Sequence, residues 1–243
     1  MNERTFHTAK LAALLASVAM LSSCQQFFTT SLAALLARDS YNIPSDMSIS
    51  DATEWLAIAK RDNNEKLAAA LVTPLLALAT AADPAGAAYD EAASALVTAV
   101  LISSGASPAI IGILKDIGTQ SFDSLTGPQI DSALGSLMAI SLSTEEATAL
   151  LLIAANGAPD GLSSDDLYVA ALSLAIDAFG DAGVAITSFA DLAILLDTGT
   201  NPAAVDDASI NGAIALLIMA QTLDAVDSSD SILGQLLSGL AFE

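Results

Sequence analysis

The side chains able to act as nucleophiles, metal ligands or proton carriers are unevenly placed in this chain. Its single cysteine, Cys24, and its single histidine, His7, both fall within the first 24 residues, so residues 25–243 contain neither. A Ser-His-Asp or Cys-His nucleophile needs an imidazole beside a hydroxyl or thiol. Zinc and transition-metal sites draw on His and Cys. The body of the chain has no means to build either, and one cysteine cannot form an internal disulfide. Carboxylates are plentiful, with 28 Asp and Glu, and paired carboxylates perform general acid–base work such as glycoside hydrolysis. Most of them sit where helices are expected to begin, however, and capping accounts for them there. The stretches APDGLSSDD (residues 158–166) and DAVDSSD (residues 224–230) suit weak surface binding of calcium, which prefers oxygen. Neither has the alternating acidic loop with a central glycine and terminal glutamate of a helix-loop-helix calcium site. No phosphate-cradling glycine loop or dinucleotide fingerprint is present. The expectation is a non-enzymatic protein with no cofactor and no metal.

What remains to be explained is Cys24. Arg4 and Lys10 precede an uncharged run, LAALLASVAML (residues 11–21). A basic start and a short apolar run read as a secretory signal; a membrane-spanning helix needs about 20 apolar residues. The run ends in Leu21-Ser22-Ser23-Cys24. That order of a branched apolar residue, two small residues and cysteine resembles the lipobox of bacterial lipoproteins. The resemblance covers these 24 residues only. It implies that the Cys24 thiol takes a diacylglycerol, that a peptidase cuts between Ser23 and Cys24, and that acyl chains hold the mature chain to a membrane. Each buried methylene contributes about 0.8 kcal/mol, and two or more chains anchor where one does not. Gln25, rather than an acidic residue, follows the cysteine, which favours an outer-membrane location facing the periplasm over the inner membrane. The domain reading is a signal peptide over 1–23, a lipidated N-terminus with a first helix and linker over 24–47, and an all-helical domain over 48–243. Phe27 and Phe28 would lie at the bilayer or pack on the domain.

Charge narrows the partners. The formal net charge is −21, and no Lys or Arg follows Lys115; loss of residues 1–23 would leave the balance more acidic still. Phosphate recognition requires basic residues, so nucleic acid is excluded. Adhesion to anionic lipid by charge is excluded on the same ground, which leaves membrane attachment to the lipid on Cys24. Disorder is opposed by composition. The chain is 53% hydrophobic with mean hydropathy +0.60, is rich in Ala, the best helix former, and is poor in aromatic residues.

The positioning elements follow from start and stop signals. Helices are expected after Ser48 or Ser50, after Asp62-Asn63, from Asp83-Pro84 with proline in the first turn, and from Ser107-Pro108. Further starts are read at Thr126, at the capping box Ser143–Glu146, at Ser163–Asp166, at Ser188, at Asn201-Pro202 with a recap at Ser209, and at Ser228 or Ser229. Gly118, Gly157 and Gly180 are read as stops. The fold class is therefore all-α, with about ten short helices in stacked hairpins, either solenoid-like or an irregular bundle. Residues 92–114 carry no charge and by length would span a membrane, but SSGASP in the middle splits them into two core helices. Trp55, Tyr89 and Tyr168 are read as amphipathic core residues with their polar tips in water, and alternatively as interface anchors.

The leading reading is a lipid-anchored scaffold or accessory subunit of an envelope complex for transport, secretion or assembly, whose partner is another envelope protein. The alternative is a carrier or sensor of a small apolar ligand held between helices.

Overall fold

The computed structural model describes residues 41, 43–44, 46–106, 140–184 and 205–227. The chain divides into two compact units, Met1–Tyr41 and Asn42–Glu243, and all the described residues but Tyr41 belong to the second. The described residues form six helices and no strand: α1 (Ile49–Asp62), α2 (Glu65–Ala81), α3 (Ala87–Ser103), α4 (Thr144–Asn156), α5 (Ser164–Asp181) and α6 (Asp207–Asp227). The all-α class holds. Starts read at Ser107, Thr126, Ser188, Asn201 and Ser228, the first helix at 29–38, and the stop at Gly118 lie outside the described residues.

The caps explain why the helices begin where they do. Ser48, not Ser50, opens α1: the Asp51 N–H donates to Ser48 Oγ at 3.2 Å. Asn63 then takes a left-handed conformation, and Asn64 caps α2 by accepting from the Leu67 N–H at 3.0 Å. The start is thus one residue later than Asp62-Asn63 suggested. Pro84 does not occupy the first turn of α3. Asp83 accepts from the Ala85 N–H through its side chain and from the Gly86 N–H through its carbonyl, so Asp83–Gly86 is a turn, and α3 starts at Ala87. The boxes at Ser143 and Ser163 form as read, each with reciprocal bonds to Glu146 and Asp166. The stop at Gly180 is displaced: α5 continues to Asp181 and ends where Gly183 adopts φ +69°, a conformation glycine reaches without a Cβ clash. The α6 cap is Asp206, which accepts from both the N–H and Oγ of Ser209. Ser209 is the donor in this cap and not the cap itself, because the aspartate three residues earlier already holds it.

Packing joins two groups of three helices. α3 packs most closely on α2, α6 on α5, α1 lies on α2 and α3, and α4 bridges the groups by touching α2, α3, α5 and α6. α5 is apolar on nearly every side, and its residues 167–176 are all buried; such helices belong inside a core. α4 runs antiparallel to α3: its start meets the α3 C-terminus through Ser103 and Glu146, and the loop after it returns to the N-terminal half of α3. Pro74 lies inside α2 with its ring buried, and it has no N–H for the Ala70 carbonyl. Gly212 seats α6 closely: a Cβ there would stand 2.5 Å from Leu151 Cδ2 and 3.2 Å from Leu174 Cδ2.

The uncharged stretch breaks as expected. α3 ends at Ser103, Gly105 takes φ +72°, and the Ser104 hydroxyl donates to the Val100 carbonyl at 2.7 Å. Among the described residues one segment, Asp207–Ala225 of α6, is long and apolar enough to cross a membrane by length and composition; in the fold it packs on α4 and α5.

Candidate functional site

Two rows of side chains face each other across a cleft of about 610 Å³. The α1 wall is Thr53, Leu56 and Lys60, spaced three and four residues apart, which places them on one helix face, with the left-handed Asn63 continuing it just past the helix end. The α3 row runs from Asp90 through Ser94, Thr98 and Leu101 to Ile102 on the same principle. Its third wall is the Asp160-Gly161-Leu162 loop after α4, with Asp166 of α5 beyond. Leu56, Ala95, Leu101 and Ile102 are nearly covered and supply an apolar floor. Among the described residues of the lining, Asp90, Glu91, Asp160 and Asp166 carry negative charge against the single cation of Lys60.

The loop is fastened rather than draped. The Asp160 N–H donates to Asp90 Oδ1 at 3.1 Å, and Ser94 Oγ donates to the Asp160 carbonyl at 2.8 Å. Gly161 follows at φ +93° with Ser94 Oγ 3.8 Å from where its Cβ would stand, so the turn requires a residue free to adopt positive φ. The acidic stretch 158–166 is therefore a wall of the cleft. Among the described residues no three His, Cys, Asp or Glu side chains come together around a point that would suit a metal ion.

A second, smaller hollow of about 280 Å³ lies where the start of α4, the end of α5 and the start of α6 converge, and it is lined by Asp177, Asp181 and Asp206. Asp177 Oδ1 accepts from the Leu142 N–H at 2.8 Å. Burial raises the Asp177 carboxyl above its ordinary 3.8, the Asp181 and Glu146 charges add to this, and the Leu142 bond opposes it. Hydrogen bonds from Ser209 hold Asp206 below that value. The two act oppositely on stability. Ionised Asp177 weakens the fold, and protonation as pH falls from neutral relieves that. Asp206 supports the fold above 3.8, and that support is lost as pH falls through its lower native value. Asp177→Asn keeps an oxygen for Leu142 and removes the charge. It is expected to raise stability at neutral pH by no more than about 1 kcal/mol, since a partly exposed charge is screened. The gain on mild acidification, read as urea midpoint against pH, should shrink with it.

Comparison of the chain with protein-family models, curated proteins and solved structures gives no match.

The residues singled out in the sequence fall as follows. Cys24 and Ser23, the lipidation and cleavage pair, lie outside the described residues, as do Phe27 and Phe28. Trp55 is half-buried on α1. Tyr89 and Tyr168 are 1% and 2% exposed, so their tips are not in water. The Tyr168 hydroxyl donates to Asp224 Oδ2 at 3.2 Å, and Ser164 Oγ donates to the other oxygen at 2.7 Å. Asp224 is thus an internal acceptor joining α6 to the start of α5. Among the described residues the buried Tyr89 hydroxyl has no hydrogen bond of ordinary geometry, and the Asn156 side chain lies beside it. The cleft itself went unread in the sequence, because its walls are joined by contacts between residues 66 and 70 positions apart.

Proposed function

We propose that this chain is a lipid-anchored, non-enzymatic envelope lipoprotein that acts as a helical scaffold or accessory subunit of a transport, secretion or assembly complex. In this reading the body consists of about ten helices in stacked hairpins, and acyl chains on Cys24 hold it to the outer membrane facing the periplasm. The observation that supports a docking role is the form of the cleft: it is open along α1 and α3, has an apolar floor and carries charge at its edge. A carrier of a small apolar ligand is the second reading. The volume of about 610 Å³ falls within the range of small-ligand pockets, but an open cleft with four carboxylates suits an apolar molecule less well than a partner surface, because burying unpaired charge is costly.

The anchoring half of the proposal is tested at Cys24. Cys24→Ser, expressed with its full N-terminus in a Gram-negative bacterium and labelled with radioactive palmitate, is expected to accumulate as unprocessed, unlabelled precursor. The unaltered chain is expected to mature and take up label. Normal maturation of the variant would overturn the assignment.

A further inference from the structure

We propose that the α1/α3 cleft receives a basic amphipathic helix from a partner protein, with its apolar side chains on the Leu56, Ala95 and Ile102 floor and its Lys or Arg residues toward Asp90, Glu91, Asp160 and Asp166. The inference rests on the docking reading above and names the chemistry of the partner.

Three features of the cleft favour such an occupant. The first is its length. From Thr53 to Lys60 and from Asp90 to Ile102 the helical walls run seven and twelve residues, or about 10 and 18 Å at 1.5 Å per residue, and Asn63 extends the shorter one past the end of its helix. A trough that long matches about three turns of a helix, whereas a compact small molecule would use only part of it. The second is the shape of the walls. Each is a row of side chains at helical spacing, which presents ridges between which the side chains of a third helix can interdigitate. Laying an amphipathic helix into an apolar groove is a recurrent mode of protein recognition. The third is charge. Among the described lining residues four carboxylates face one ammonium, so a cationic partner meets a complementary potential while an acidic one is repelled, and such complementarity governs partner choice and the rate of encounter.

The loop wall supports a preformed site. Asp160 is held through its backbone N–H and carbonyl by Asp90 and Ser94, which leaves its side chain and that of Glu91 to face a ligand. An occupant would therefore meet a groove whose third wall is already fixed, which reduces the ordering cost of binding.

The test uses the full-length chain and a fluorescent synthetic helix of Leu and Lys with one apolar face, read by anisotropy. Controls are the same peptide with Glu for Lys, and a peptide of identical composition with the pattern scrambled. The patterned Leu/Lys peptide is expected to bind at least tenfold tighter than either control. Glu91→Lys, which reverses an exposed charge at the cleft, and Thr98→Trp, which fills it, are each expected to weaken binding at least tenfold with helix content unchanged by circular dichroism. Glu54→Lys, the same charge change on an exposed α1 residue outside the lining, should alter it less than twofold. Equal losses at Glu54 and Glu91 would show attraction by net charge alone and overturn the proposal, as would unchanged binding to Thr98→Trp. Displacement of a small cationic amphiphile, decylammonium, by Thr98→Trp while the peptide fails to bind would also overturn it, in favour of a small-molecule carrier. None of these readings depends on acylation at Cys24, so failure of the anchoring assignment would be seen separately in the palmitate experiment.

Discussion

Glu146→Ala is expected to lower the unfolding free energy by about 2–3 kcal/mol, a sum of a lost cap at about 1 kcal/mol and lost bonds to a buried carboxylate. Glu146 is 6% exposed and works at two places at once. Its Oε2 accepts from the Ser143 N–H at 2.7 Å, which closes the capping box of α4, and its Oε1 accepts from the Ser103 hydroxyl at the end of α3. Alanine would release both donors and leave space in the joint between the helices. Part of the loss is recovered on one side, because the Ser103 hydroxyl also has the Val100 carbonyl within reach at 3.2 Å. The Ser143 N–H, on an exposed residue, has no second protein acceptor among the described residues and is left to water. Glu146→Gln separates charge from connectivity. Its oxygen can accept from Ser143 while its NH₂ donates to Ser103 Oγ, so a cost below about 1 kcal/mol is expected. Urea unfolding checks both: the midpoints should differ while the slope stays constant. Equal losses for Ala and Gln would show that the negative charge at the helix start, and not the bridge to α3, is what matters.

The second large effect lies at the start of α5 and is expressed in alkali. Burial first, and then the adjacent Asp224 charge, push the Tyr168 phenol up to about 12 from an ordinary 10.0. The native state therefore holds a proton that the unfolded chain releases between these values. Stability attributable to this group is fully present below pH 10 and is lost as pH rises toward about 12, because the unfolded state binds fewer protons there. Tyr89 adds to the loss with the same sign, since burial raises it also. Tyr168→Phe is expected to cost about 1–2 kcal/mol at neutral pH, the worth of a hydrogen bond to a charged acceptor, with Ser164 still donating to Asp224. Above pH 10 the difference from the unaltered chain should narrow, because the phenylalanine has no proton to lose. Urea midpoints against pH, together with tyrosinate absorbance, check this. Parallel curves for the two proteins across the alkaline range would defeat it.

Local chemistry in this chain was largely legible, and distant chemistry was not. The boxes at Ser143 and Ser163 use partners three residues away, so the pattern alone identifies them. The same holds for the break after Ser103, where serines and a glycine interrupt an apolar run. The misreadings at Ser209 and Pro84 arose where two candidates competed within a few residues. Asp206 and Ser209 both suit a cap, and only the folded backbone shows which one accepts. Asp83 captures the N–H groups of Ala85 and Gly86, and this turn displaces the proline that would otherwise start a helix. The buried hydroxyls and the cleft were invisible for another reason. Nothing near Ser94 announces Asp160, nor does anything near Tyr168 announce Asp224, because those pairings exist only once the helices have docked.

Gly212 has a bearing on how the molecule can move. With Leu151 and Leu174 pressed against the space where its side chain would be, α6 is keyed to its neighbours at one height. Sliding by a single turn toward its N-terminus would bring Leu216 to that notch, where an isobutyl group has no room. The notch at Gly212 therefore sets the height of α6 along its own axis, while Ile210, Leu216, Leu217 and Ala220, all fully buried, hold its tilt.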